Sequence, residues 1–486
     1  MKNKPILLYD GTLLANKYSH KNSDRTGVYF VAYNLLLQLM HQRQFEVQVY
    51  TQWQDTKVAQ ALREDGFGQV RVLTDKNLDD CGASVYLSPF APAPARIAAD
   101  KSIKKYMILH DLTPLALGDI ERPNQDWFKA LEHGLNGRDY YFADSAYTKQ
   151  DFLRFYPSLN PEHIRVAYLA AADRFYHCTD QEKIRQVKKK YGIPDKKPYV
   201  LSLCTLQPRK NLVHAVRCFQ AFQKEHQADD LMFVMAGGHW DEFKKQLDQE
   251  INRHSIVQTG YVDDEDIAAL FSNALFTVYV SLYEGFGLPV LEAMQCGCPV
   301  ITSNVTSMPE VLGDCGQLVD PRDPVALKRA YAKYYEDEKF RKSCGIRGLR
   351  RAKRFTWKKF GETVLRFIKE TWQKDDTVAP VAKHEKKDAT AVLSWDGEVC
   401  HDDFVRLQQQ AKLDRNNLLA KISHLQDKVQ GKIFHAKAGE EPSVAEALNS
   451  LSMYRKVMEI GQGRTGVRQE LEDADAIVKQ MGERLQ

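Results

Sequence analysis

The chain has 486 residues, too many for one ordinary hydrophobic core, and 43% of them are hydrophobic, enough for two. Lys and Arg number 68 against 64 Asp and Glu, so the net charge of +4 is too even to point to nucleic acid, and any basic surface must be local. Nine cysteines without a Cys-x-x-Cys pair argue for reduced thiols in a cytoplasmic protein and against a disulfide frame or zinc site.

The N-terminus MKNKPILLYDGTLL continues as a strand with no small-residue cleavage site, so no signal peptide is expected. No run approaches the ~20 apolar residues that span a bilayer. From Pro5 to about Ala172, PILLYDGTL, FEVQVYT, QVRVL, ASVYLS, YMILHDL, YYFADS and IRVAYL are predicted strands, with helix-period segments between several of them. The second half repeats the rhythm with YVLSLCTL, LMFVMAGG, IVQTGYV, ALFTVYVS, CPVITSN and GQLVD, separated by helix candidates such as 211–226 and 324–338. This alternation predicts an α/β protein of two parallel sheets, each covered on both faces, meeting near the lysine-rich stretch 178–197. Ligands of such sheets gather beyond the carboxyl ends of the strands, so two facing halves make a cleft.

The segment 354–372, RFTWKKFGETVLRFIKETW, is predicted as a helix closing the second half. The expected domains are 1–178, 195–375, a linker 376–398 and a helical appendage 399–486. In the appendage Phe404, Ala411, Leu418, Ile422, Leu425 and Val429 recur at heptad-like spacing if Gln408 and Arg415 count as seam positions. A short coiled coil and an ordinary amphipathic helix fit that pattern equally well.

Chemistry concentrates at predicted strand ends. Gly27 opens an apolar helix pattern, where free N–H groups can meet phosphate, or simply makes a turn. His110 ends YMILHDL, a position that on its own suits a packed histidine. Arg209 and Lys210 follow a buried-looking strand and place two adjacent cations where a diphosphate could be neutralised. Asp264-Glu265-Asp266 spells a metal motif but precedes IAALF and reads as a helix start with acids in its first turn, so no metal is expected. In SLYEGFGLPVLEAM, Glu284 and Glu292 flank a Gly-Phe-Gly-Leu-Pro turn that opens a helix. The helix start offers N–H groups to an anion, and carboxylates on either side of it can accept sugar hydroxyls. On spacing alone, the two acids could equally cap the loop and favour the helix N-terminus.

The stretch SLYEGFGLPVLEAMQCGCPVITSNVTSMPEVLGDCGQLVDP resembles the signature of retaining glycosyltransferases of family four. The likeness extends to GYVDDEDIAALFSNA, LCTLQPRKNL, ILHDLTPL and RFTW, covers about 370 residues and leaves the tail uncovered. It implies the GT-B fold, two Rossmann-like domains across a cleft, with Glu292 on the ribose of a nucleotide-sugar and Glu284 against the donor sugar. It further implies backbone contacts from Phe286, Gly287 and Leu288 to sugar or phosphate, Gly27 at the phosphate, His110 near the donor sugar, and Arg209 and Lys210 on the diphosphate. Two departures stand out: Thr205 replaces an Arg that many relatives carry, and YLAAADRF lacks a glycine they carry before the aspartate.

The expected activity is a metal-independent retaining hexosyl transfer without a resident cofactor. GDP-mannose is the first-choice donor, with UDP- and dTDP-sugars as alternatives. The expected acceptor is a growing polysaccharide or lipid-linked glycan, because HDLTPL and PRKNL resemble bacterial mannosyltransferases of polysaccharide assembly. A reading of another class is an inactive scaffold whose tail mediates homo-oligomer or protein contacts. The cations of RKSCGIRGLRRAKRFTWKK, 341–359, fit either peripheral contact with anionic lipid on the cytoplasmic face of the membrane or, equally well, a solvated helix face.

Overall fold

The computed structural model describes residues 4–19, 27–52, 70–117, 125–205, 207–238 and 254–373, together with Leu62, Gly66 and Phe67. The expected linker 376–398 and the appendage 399–486, including the heptad pattern from Phe404, lie outside the described residues.

The first half holds a seven-stranded sheet in the order β3-β2-β1-β4-β5-β6-β7, all parallel. Its strands are β1 (Ile6–Asp10), β2 (Glu46–Tyr50), β3 (Arg71–Leu73), β4 (Val85–Ser88), β5 (Lys104–Leu109), β6 (Tyr140–Ala143) and β7 (Ile164–Val166). The second half holds a parallel six-stranded sheet in the order β10-β9-β8-β11-β12-β13. Its strands are β8 (Tyr199–Leu203), β9 (Met232–Ala236), β10 (Ile256–Gly260), β11 (Phe276–Tyr279), β12 (Val300–Ser303) and β13 (Gln317–Val319). Each lies within a run predicted from sequence except β5, which starts two residues before YMILHDL, at Lys104. These runs are legible because helices cover both faces: all five residues of β9 and all four of β4, β6, β11 and β12 are buried, so the strands read as continuous apolar stretches.

In each sheet the chain turns from one direction of winding to the other beside the first strand of its half, between β1 and β4 and between β8 and β11. Loops beyond those strand ends splay apart and leave room for a ligand. His110 follows β5, Arg209 and Lys210 follow β8, and Glu284 follows β11.

Two boundaries differ from the expectation. The stretch 178–197 contains the helix Gln181–Lys190, capped by Asp180 and burying Ile184 and Val187. It is tied to the second half, where Lys190 Nζ and Tyr191 OH donate to Asp266 Oδ2 at 2.6 and 2.9 Å, so that half begins before 195. The closing helix, Trp357–Thr371, instead returns to the first half. Its Gly361 allows close approach to Gln38, whose Cβ lies 2.5 Å from where a glycine Cβ would stand. Thr371 Oγ1 lies 2.7 Å from Tyr106 OH, and the Phe367 ring meets Phe142 edge-on at 5.5 Å. An amphipathic pattern tells which helix face is buried but not against which sheet.

Candidate active site

Tyr279 closes β11, and the chain then turns through Ser281, Tyr283 and Glu284 into the helix Leu288–Gln295. On the facing strand end, Pro208–Lys210 make one 3-10 turn. Asn211 then takes a left-handed conformation at φ 58°, and its amide donates to Pro321 O at 2.7 Å and Val280 O at 3.2 Å. Leu282 N–H donates to Arg209 O at 2.8 Å. These bonds bring the two loops together.

Their side chains converge on one carboxylate oxygen. Glu284 Oε1 accepts from Lys210 Nζ at 2.6 Å, Ser281 Oγ at 2.7 Å, Tyr279 OH at 2.8 Å and Arg209 Nη1 at 2.9 Å. Lys210 Nζ also donates to Tyr279 OH at 2.6 Å, so the phenol bridges the ammonium and the carboxylate through hydrogen bonds. Burial alone would raise the Glu284 carboxyl, but the Lys210 and Arg209 charges, with bonds from Lys210 and Ser281, hold it at about 2. A carboxylate bound this tightly neither carries a proton near neutrality nor makes a free nucleophile. One negative and two positive charges leave a net positive, partly desolvated cluster suited to an anion.

The helix Leu288–Gln295 begins beside it. Gly287 caps it at φ 93°, a conformation open to glycine, and a Cβ there would stand 2.3 Å from Met308 Cε. Within the first turn Pro289 has no N–H and the Val290 N–H donates to Gly287 O at 3.0 Å, so the backbone N–H groups that can face a ligand are those up to Leu288. Gly27, first residue of the helix Gly27–Gln42, faces this start: a Cβ on Gly27 would meet Leu288 Cδ1 at 3.3 Å. Two helix N-termini therefore approach each other from the two sheets, and both favour an anion between them. Phe286 is buried against Tyr168 and Phe355, so this loop offers its backbone to a ligand.

Glu292 sits in the same helix and is half-buried. Desolvation pushes its carboxyl up to about 7; the Arg174 charge pulls it down and Asp264 pushes it further up. Arg174 was not singled out in the sequence. Its guanidinium pairs with Asp264 Oδ2 at 3.4 Å and lies 4.3 Å from the Phe30 ring centroid, so it holds helix Gly27–Gln42 against the second domain beside Glu292.

His110 is half-buried just after β5. Its Nε2 lies 2.8 Å from Pro89 O, which fixes that nitrogen as a donor, and its Nδ1 is 3.6 Å from Asp144 Oδ2. Burial lowers its affinity for a proton, but Asp144, Pro89 O and Asp111 outweigh that and raise it above its ordinary value. Burial in turn pushes Asp144 up to about 6. Its two nitrogens thus lie against Pro89 O and Asp144, and the His110 backbone meets the Glu284 loop. Tyr279 and Ser281 are the other residues missed in the sequence. A hydroxyl inside or just beyond a fully buried strand needs a partner, and that was the available signal.

Asp264 and Asp266 are both engaged, by Arg174 and by Lys190 and Tyr191 respectively. The basic region is partly spent within the fold. Arg341 donates to the carbonyls of Tyr334 and Tyr335, Arg347 to that of Asp314, and Arg351 to those of Glu310 and Val311. Arg350, Lys353 and Arg354 remain exposed. Among the described residues, no helix is long and apolar enough to cross a membrane.

The family model for glycosyl transferases group 1 matches residues 183–351. The chain is 34% identical over 233 residues to the O-antigen chain mannosyltransferase B of Escherichia coli, covering 47% of this chain and 60% of that protein. It is 28% identical over 264 residues to the serotype-specific mannosyltransferase WbdA of the same organism, covering 52% of this chain and 32% of that one. It thus spans well under the full length of both relatives. Among solved structures, that of WaaG, a glycosyltransferase involved in lipopolysaccharide biosynthesis, superposes with a TM-score of 0.56 at 14% identity, over 75% of this chain and 99% of that one. Anabaena Alr3699/HepE in complex with UDP and glucose gives 0.57 at 15%, over 75% of this chain and all of that one. The chain therefore has the GT-B fold, and its second half carries a domain of the glycosyl transferases group 1 family.

Proposed function

We propose that the protein is a retaining, metal-independent glycosyltransferase that moves mannose from GDP-mannose to a hydroxyl of a growing cell-surface polysaccharide or lipid-linked glycan. The observation that carries this reading is the Glu284 cluster: Arg209 and Lys210 are held side by side on a single carboxylate oxygen, next to the N-terminus of a helix. The two cations and the helix start would receive the diphosphate and stabilise the charge that develops as the sugar leaves, the role for which a metal is otherwise used. Glu284 Oε1 already accepts four bonds, so its second oxygen is the one available to a sugar hydroxyl. Glu292, further along the helix, would take the ribose hydroxyls. Because Glu284 is pinned and ionised, it would orient the sugar without bonding to it. The acceptor would then attack the face from which the nucleotide departs, with a diphosphate oxygen taking the proton.

Mannose is favoured over other hexoses by the names of the relatives, an O-antigen chain mannosyltransferase and a serotype-specific mannosyltransferase. Such glycans are built on lipid, and the exposed Arg350, Lys353 and Arg354 would support peripheral contact with anionic headgroups. The reading is tested by thermal shift with GDP, UDP and dTDP and their sugars in EDTA. Selective stabilisation by GDP and GDP-mannose supports it. Indifference to every nucleotide overturns it.

A further inference from the structure

We infer that Ser145 and Thr148, at the N-cap and in the first turn of the helix Ala146–Phe155, are positioning residues that clip the Glu284 loop to the His110 loop and thereby orient the Phe286 N–H. The inference deepens the transferase reading and rests on it for its kinetic test.

Ser145 caps the helix by accepting from Thr148 N–H at 2.9 Å. A hydroxyl that accepts as a cap still has its own proton to give. Here that proton crosses to the second domain, to Gly285 O at 2.6 Å. Thr148 Oγ1 lies 3.0 Å from the same Gly285 O and 3.1 Å from His110 O, within hydrogen-bond reach of one carbonyl of each loop, with the Asp144 carboxylate as a further partner. Both side chains are buried, at 0% and 1% exposure, and bulk water cannot stand in for them. The loops also touch directly. A Cβ on Gly285 would stand 2.1 Å from His110 O, so only glycine lets the two backbones meet.

Further bonds from the same helix reinforce the clip. Ala146 and Tyr147 N–H donate to the two oxygens of Glu310 at 2.9 and 3.0 Å, and Tyr283 OH donates to Asp151 Oδ2. The helix is thus tied to the second domain through Glu310 and through Tyr283, the neighbour of Glu284.

The consequence follows from peptide geometry. Gly285 C=O and Phe286 N–H belong to one planar trans peptide and point in opposite directions, so holding the carbonyl aims the N–H. Glycine on one side of that peptide leaves the plane free to turn unless something outside the loop holds it. Ser145 and Thr148 do so from the opposite domain, and the donor site is therefore set only when the two domains are together.

The test compares Thr148→Val and Ser145→Gly with the parent chain and with Thr148→Ser. Glycine still serves as a helix cap at a cost of a few tenths of a kcal/mol, so Ser145→Gly removes chiefly the donated bond. Turnover per nucleotide-binding site, with GDP-mannose saturating, should fall roughly ten- to hundredfold in both variants, as expected for a small misplacement of a catalytic loop. GDP affinity should stay within about threefold, because Glu292, Arg209 and Lys210 are untouched, and Thr148→Ser should restore turnover. Parental turnover per site in both variants overturns the inference, since a purely structural loss would lower stability alone. If the parent itself transfers no sugar from any donor, the transferase reading fails separately. The clip is then judged by amide hydrogen exchange over 283–288: faster exchange in both variants supports it, and unchanged exchange overturns it.

Discussion

Replacing Glu284 by Gln should destabilise the protein and abolish most transfer, while leaving a deficit that nucleotide can repair. The folded-state carboxyl is held at about 2 against an ordinary 4.5, so the ionised form is favoured by the fold. At ~1.4 kcal/mol per pH unit, that difference is worth roughly 3 kcal/mol. Because the folded value is the lower one, this stability is fully present above pH 4.5 and is lost as pH falls towards 2. Removing one partner of a buried ion pair independently costs about 3–5 kcal/mol, because the charge left behind is uncompensated. Here Lys210 and Arg209 would be left, with side chains 9% and 15% exposed. For a domain of this size, ~3 kcal/mol corresponds to a Tm lower by roughly 6–12 °C. Saturating GDP supplies the missing negative charge to the same two cations and should recover much of that loss, so the ligand-induced Tm shift should be larger in the variant than in the parent. Differential scanning fluorimetry with and without GDP reads both quantities. A variant with the parental Tm and the parental GDP shift would refute the view that Glu284 is the counter-charge of the diphosphate site.

Glu292→Ala should weaken GDP and GDP-mannose alike by ~1–3 kcal/mol, the range for a lost charged hydrogen bond. Since desolvation raises this carboxyl to about 7 and ribose hydroxyls donate to its ionised form, parental affinity should fall as pH drops below about 7. The variant should lose that part of the dependence in calorimetric titrations. Lys210→Ala should lower turnover at saturating donor more than it lowers donor affinity, with transfer by the parent persisting in excess EDTA; steady-state kinetics with unchanged turnover would remove the ammonium from the mechanism. A chain ending at 375 should keep its nucleotide affinity, whereas one ending at 355 loses the helix Trp357–Thr371 from the first domain and should melt lower or fail to fold; circular dichroism and titration distinguish the two.

The central strands were legible because helices cover both faces of each sheet, which turns them into apolar runs such as MFVMA or VYLS, whereas the two lysines that open β5 fell outside the predicted run. The placement of Glu284, Arg209 and Lys210 at strand ends was legible for the same reason. What one sequence could not carry was their convergence on a single oxygen, which depends on Asn211 bridging two loops through Val280 O and Pro321 O. Arg174 and the Ser145–Thr148 pair escaped notice because their partners, Asp264, Phe30 and Gly285, lie in other elements far along the chain. The misplacement of helix Trp357–Thr371 has a similar origin: its buried face is written in Phe360, Val364, Leu365 and Ile368, but the sheet that receives it is not.

The central claim is that this cluster drives transfer with retention, and the anomeric configuration of the product tests it most directly. Incubation of the protein with GDP-α-mannose and octyl α-mannoside in excess EDTA, followed by NMR of the purified disaccharide, reads the new linkage. An α-mannosyl product is expected, because a pinned, ionised Glu284 offers no opposite-face nucleophile or base and the diphosphate takes the proton on the side it leaves. A β-mannosyl product, or transfer that appears only after manganese is restored, would contradict the account.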